Sequence, residues 1–163
     1  MKQLIFLIVI FIFNSFSSYA DVKKKALICK CVICDVGGQF WETYIDLDSK
    51  PTELGIFLDQ NTITYYLITK KEDKIFYKKE EIWDEGEFYT TPLEINWNFN
   101  KYGKVKINRK SLQYKKTHKS KSYYFTELRK CEVFKHKSFF DKMKSLANSY
   151  QKKYNLKMKD NKI

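Results

Sequence analysis

The chemistry most open to inspection in this chain lies in its sulfurs. There are four cysteines; Cys29, Cys31 and Cys34 crowd into "CKCVIC", and Cys131 stands far downstream. Three uses fit. Four thiolates can hold zinc, although structural zinc sites more often pair two Cys-x-x-Cys knuckles and only one is present. Cys31-Val32-Ile33-Cys34 has the spacing of a redox pair, yet thioredoxin-like pairs open a helix whose dipole lowers the thiol pKa, and this one runs into Asp35 and the Gly37-Gly38 turn. A staple is the third. Either Cys29 or Cys31 can meet Cys131, and a loop of about 100 residues closed this way gains roughly 4–5 kcal/mol on chain-entropy grounds. We favour the staple, with Cys29 joined to Cys131 and Cys31 to Cys34.

That choice rests on compartment. Lys2 is followed by the apolar run Leu4–Phe13 and by a polar stretch ending Ser18-Tyr19-Ala20. A charged start, a short apolar core and small residues before the cut describe a secretory signal peptide. The run is shorter than the ~20 residues that a membrane helix needs. Residues 1–20 are therefore read as the signal, and residues 21–163 as a single exported domain, periplasmic or secreted, with no further membrane span. Disulfides persist in such a compartment.

The elements that must place the cysteines read in period two. Ala26–Ile33 alternates, with Leu27, Cys29 and Cys31 on one parity. Phe40–Asp46 forms a short aromatic strand, Leu54–Lys70 two strands joined near Gln60-Asn61, and Lys74–Trp83 another. Pro92 marks an edge or a strand start. Ile95, Trp97 and Phe99 alternate with asparagines, the "NKYG" turn follows, and Val105 and Ile107 alternate with Lys104 and Lys106. Arg109 shares the parity of Val105 and Ile107, which places it facing the core or at its rim. Leu112–Tyr114, the stretch "SYYFTEL" and the stretch "KCEVF" complete the strands. Short strands at intervals of about 8–12 residues argue for an all-β sandwich or barrel. From about 137 to 157 the period changes: Phe139, Phe140, Met143, Leu146, Ala147, Tyr150 and Tyr154 make one helical stripe. Ser138 with Asp141 resembles a capping box.

The chain carries a formal charge of +12, and all but Arg109 and Arg129 of its 31 basic residues are lysine. A basic surface attracts anionic partners. Lysine lacks the planar fork with which arginine reads phosphate and guanine, so specific nucleic-acid recognition is not expected. No Asp or Glu occurs from Ile95 to Thr126, a span that includes Lys101, Lys104, Lys106, Lys110, Lys115, Lys116, Lys119 and Lys121. An acidic group, Glu80, Glu81, Asp84, Glu85 and Glu87, surrounds Trp83 just before it.

Enzyme readings find little support. His118, in a polar turn, and His136 have no nucleophile motif beside them, and neither a phosphate loop nor a dinucleotide fingerprint is present. Asp46–Lys50 lacks the glycine and terminal Glu of a calcium loop. No cofactor or metal is called for.

Over residues 93–163 the motifs "PLEINWNF", "KVKINRKSLQY" and "RKCEVF", with a later Phe and Met and the terminal "NKI", resemble small exported proteins of marine alphaproteobacteria. The resemblance implies a signal peptide, a β-rich domain and a terminal helix, and no particular activity. The "CKCVIC" cluster is denser than the single cysteine of that group. The expected fold is an antiparallel meander curled toward a small barrel, lipocalin-like in outline, with one C-terminal helix. The expected function is a non-catalytic binding module. One candidate pocket is lined by Trp41, Trp97, Tyr114 and Arg109, of which the aromatics equally suit a filled core. The alternative is an electrostatic binder of an anionic polymer, lipid surface or acidic protein through Lys104, Lys106, Lys110, Lys115 and Lys116. Thiol redox or zinc binding at Cys29–Cys34 comes third.

Overall fold

A computed structural model describes residues 24–34, 53–59, 62–80, 88–99, 103–119 and 124–160. The expected signal segment, Trp41 with its expected strand, the acidic group beyond Glu80, Lys101 and Lys121 lie outside the described residues.

Among the described residues nine strands form one antiparallel sheet. They are β1 (Lys25–Ile33), β2 (Glu53–Asp59), β3 (Thr62–Lys71), β4 (Lys74–Glu80), β5 (Tyr89–Thr90), β6 (Glu94–Phe99), β7 (Gly103–Asn108), β8 (Gln113–Lys119) and β9 (Tyr124–Phe134). A helix, α1 (His136–Asp160), follows. The strand order is β4-β3-β2-β1-β9-β8-β7-β6-β5. Taken as a ring, this is a plain meander closed by β1 against β9, with its seam between β4 and β5. The fold is thus mainly β, curled into a half-barrel, with one C-terminal helix.

The curl is visible in a single hydrogen bond. Trp97 Nε1 on β6 donates to the Tyr65 hydroxyl on β3 at 2.7 Å. Those strands are six steps apart in the sheet order. A flat sheet would hold them roughly 29 Å apart, so the inner face must fold over onto itself.

Period-two alternation explains which side chains go where. In β7, Val105 and Ile107 are buried and Lys104 and Lys106 are exposed. The inner face collects Leu27, Cys29, Ile56, Leu58, Tyr65, Ile95, Trp97, Val105, Ile107, Tyr114 and Cys131. The outer face of the β1–β4 half is covered by α1, which packs chiefly on β4 and also on β1 and β3. There Ala26, Ile28, Ile68 and Ile75 meet Phe139, Met143, Ala147, Tyr150 and Tyr154. Gly55 permits the close approach: a Cβ at this position would lie 2.9 Å from the Phe139 ring and 3.0 Å from Tyr66 Cβ.

Three local expectations change. Ser138 does not cap the helix. Strand β9 runs to Phe134, Phe139 N already donates to Lys135 O at 2.9 Å, and Ser138 Oγ bonds back to the same carbonyl at 3.0 Å. No acidic residue sits in the first turn. From Tyr124 onward the stretches "SYYFTEL" and "KCEVF" run as one 11-residue strand ending at Phe134, because β9 is paired on both flanks. His118 lies within β8 opposite Gly103, not in a turn.

Candidate functional site

Three groupings of chemistry-bearing side chains emerge. The first is the cysteines. Cys29 and Cys131 face each other across β1 and β9 and are disulfide-linked at 2.03 Å; Cys31 is linked to Cys34 at the same distance. All four sulfurs are therefore engaged, and paired sulfurs are not thiolate ligands. The two bridges differ in setting. Cys29 and Cys131 are buried in the core, whereas Cys31 and Cys34 are half-buried near the end of β1, where the pairing with β9 shifts register between Cys31 and Ile33. Disulfides of this kind fit an oxidising, non-cytoplasmic compartment. Among the described residues no helix is long and apolar enough to cross a membrane, and no three His, Cys, Asp or Glu side chains cluster as metal ligands.

The second grouping lies on the inner face. Tyr114 and Lys116 on β8 are registered opposite Arg129 and Glu127 on β9. Arg129 Nε forms an ion pair with Glu127 Oε1, and Arg129 also donates to the Cys29 carbonyl at 3.4 Å. Trp97 and Tyr114 both hydrogen-bond to the Tyr65 hydroxyl. Burial pushes the Tyr65 and Tyr114 pKa values well up, the nearby Glu127 charge adding to the rise. Burial lowers Lys116 to about 8, with Glu127 opposing the shift and Arg129 reinforcing it. The structure thus brings Trp97 and Tyr114 together, as packed and hydrogen-bonded core. Arg109 is elsewhere, in the turn after β7, where Nη1 donates to the Thr91 carbonyl at 3.0 Å. It sits at the rim with a carbonyl partner. Of the expected pocket residues, Trp97 and Tyr114 are thus brought together, Arg109 is set apart at the rim, and Trp41 lies outside the described residues.

The third grouping is the lysine face, and it requires one correction. Lys116 is only 6% exposed and points inward; it does not belong with the others. Its even parity is that of Tyr114, and Lys115 takes the outward position. Lys104, Lys106 and Lys115 do share the outer face of β7 and β8, exposed, with Lys106 and Lys115 directly opposed across the strands. Like charges in this register repel. Glu94 offsets part of this through Lys106 Nζ at 3.4 Å. Lys110 lies in the adjoining turn, whose backbone is held by Asn108 Oδ1 accepting from Lys110 N at 3.0 Å and Ser111 N at 2.8 Å. Lys30 and Lys130, opposed on β1 and β9, continue the same face. The convex surface thus divides into a half beneath α1 and a cationic half.

The inner network of Tyr65, Glu127 and Arg129 was not among the sequence candidates. Parity alone places two of them: with Cys131 inward, Arg129 and Glu127 must point inward too. No family model, curated protein or solved structure matches this chain.

Proposed function

We propose that this protein is an exported, non-catalytic binding module that engages a polyanionic partner on the outer face of β7, β8 and β9. The observation that carries this reading is the lysine register: Lys106 opposite Lys115, with Lys104 and Lys110 beside them, on a strand face that α1 does not cover. Opposed lysines raise the energy of the unliganded sheet, and an anion laid across them removes the repulsion. The filled inner face around Trp97 and Tyr114 weighs against the pocket reading.

The test separates this face from general basicity. A random-sequence DNA duplex serves as a polyanion of known charge density, with affinity followed against salt. The triple variant Lys104→Gln, Lys106→Gln, Lys115→Gln should flatten the log–log salt slope by up to roughly 3, since each phosphate contact contributes about 0.9. The matched helix variant Lys142→Gln, Lys144→Gln, Lys152→Gln removes the same charge and should leave the slope near its original value. Equal effects from the two triples would overturn the assignment.

A further inference from the structure

We propose that the Cys31–Cys34 disulfide is a thiol–disulfide exchange centre that accepts electrons from an exported peptide or protein dithiol, while Cys29–Cys131 is the inert staple. The proposal is independent of the lysine face.

Four observations meet here. First, the two bridges have opposite settings. Cys29 and Cys131 are 0% and 2% exposed, out of reach of an attacking thiolate, and Cys31 and Cys34 are half-buried. Second, the bridges span chain separations of 102 and 3 residues. Loop-closure stabilisation grows with span, so the short bridge contributes less than the long one. Third, the two residues it encloses, Val32 and Ile33, are 64% and 50% exposed. Two apolar side chains held in water beside a reachable disulfide form a lip onto which an extended apolar segment can dock. Fourth, Arg129 is registered opposite Cys31, and its guanidinium reaches across to the Cys29 carbonyl at 3.4 Å. Cationic surroundings lower a thiol pKa without a helix dipole, although Glu127, paired with Arg129, takes back part of the field.

The charge placement sets the direction of the reaction. A partner thiolate attacks Cys34 Sγ and forms a mixed disulfide. The S–S bond breaks, and Cys31 Sγ leaves with the electron pair as the thiolate that Arg129 stabilises. A leaving thiolate of lower pKa departs faster. The partner's second thiolate then attacks the partner sulfur of the mixed disulfide, and Cys34 leaves as a thiolate. Two electrons have passed to the Cys31–Cys34 pair, the partner carries the new disulfide, and the two partner thiol protons end on Cys31 and Cys34. The exchange is reversible and needs no other reactant.

The oxidised full chain is equilibrated with dithiothreitol buffers of increasing reduced-to-oxidised ratio, alkylated, and each cysteine pair is followed by peptide mass spectrometry. Cys31–Cys34 is expected to open at a ratio at least tenfold lower than Cys29–Cys131. A synthetic reduced Cys-x-x-Cys peptide should be oxidised mole for mole, and a reduced Cys-x-x-Ser peptide, which lacks the second thiol, should be trapped by the oxidised protein as a mixed disulfide on Cys34 in preference to Cys31. Arg129→Gln should slow peptide oxidation about three- to tenfold and move the alkylation pH profile of reduced Cys31 upward, with Arg129→Lys restoring both. Opening of the two bridges at one ratio, failure to oxidise the peptide, or equal trapping on Cys34 and on Cys31 sinks the proposal. If Arg129→Gln does not fold, the buffer titration and the trapping decide the matter.

Discussion

Lys116 holds a charge where water is scarce, and its effect on stability has a definite sign. Burial lowers its pKa from 10.5 to about 8. Between those values the unfolded chain binds a proton that the folded chain does not, so stability rises with pH across about 8 to 10.5. Tyr65 and Tyr114 act oppositely. Burial raises their pKa values, so the unfolded chain ionises near 10 while the folded one keeps its protons, and stability falls beyond that point. Urea unfolding followed against pH should therefore climb from pH 8 and turn over near 10. Lys116→Met should abolish the climb, keep the fall, and stabilise the protein at pH 7 by about 3–4 kcal/mol, because each tenfold loss of proton affinity on folding costs about 1.4 kcal/mol. Glu127 stays paired with Arg129 in that variant, so no buried carboxylate is stranded. Gly55 is the second sensitive residue. Because a methyl group there meets the Phe139 ring and the Tyr66 Cβ, Gly55→Ala should push α1 off the sheet and cost about 1–3 kcal/mol in the same assay.

At the level of elements, the docking of α1 depends on a few polar clasps as well as its apolar stripe. Gln151 closes the β3–β4 hairpin from outside: its Oε1 accepts from Ile75 N at 2.7 Å and its Nε2 donates to the Asp73 carbonyl at 2.9 Å. Nearby, Tyr154 donates to Asp73 Oδ1 at 2.8 Å and Tyr150 to Glu53 Oε2 at 2.7 Å. Gln151→Ala removes both partners of a turn that already carries Glu72 at a φ of 55°. We expect a loss of about 1–3 kcal/mol and faster hydrogen exchange at Ile75, measurable by NMR. Much of this architecture was legible from periodicity. The helix stripe from Phe139 to Tyr154 and the alternation in β6 and β7 reflect burial on one face, which imposes its period on the sequence. What was not legible depends on long-range pairing. Ser138 mimics a cap because the cap rule is local, while the true helix start is fixed by where β9 stops. Lys116 looks like any other lysine in a basic run until parity is counted from Tyr114. The inward arginine is Arg129 and not Arg109, and only the register with Cys131 reveals that.

Across the whole molecule, two devices tie the first strand to the last. One is the Cys29–Cys131 bridge between β1 and β9, in the middle of the sheet order. The other is α1, which continues from β9 and crosses the outer face onto β1, β3 and β4. The sheet thus consists of two meanders, β1–β4 and β5–β9, meeting at one ladder. The halves are held together by that ladder, its sulfur, the helix and the shared inner core, where Trp97 of β6 donates to Tyr65 of β3. Replacing both cysteines, Cys29→Ala with Cys131→Ala, releases a loop with a separation of 102 residues and should cost roughly 4–5 kcal/mol, a large share of the 5–15 kcal/mol typical of a domain. Cys31→Ala with Cys34→Ala, at a separation of 3, should cost about 2 kcal/mol on the same reasoning. Urea titrations of the two double variants at one pH provide the comparison. A smaller loss for the long bridge than for the short one would mean that α1, and not the staple, joins the halves. In that case Gln151→Ala combined with the long-bridge variant should lose more than the sum of the separate changes, because both clasps would then act on the same ladder.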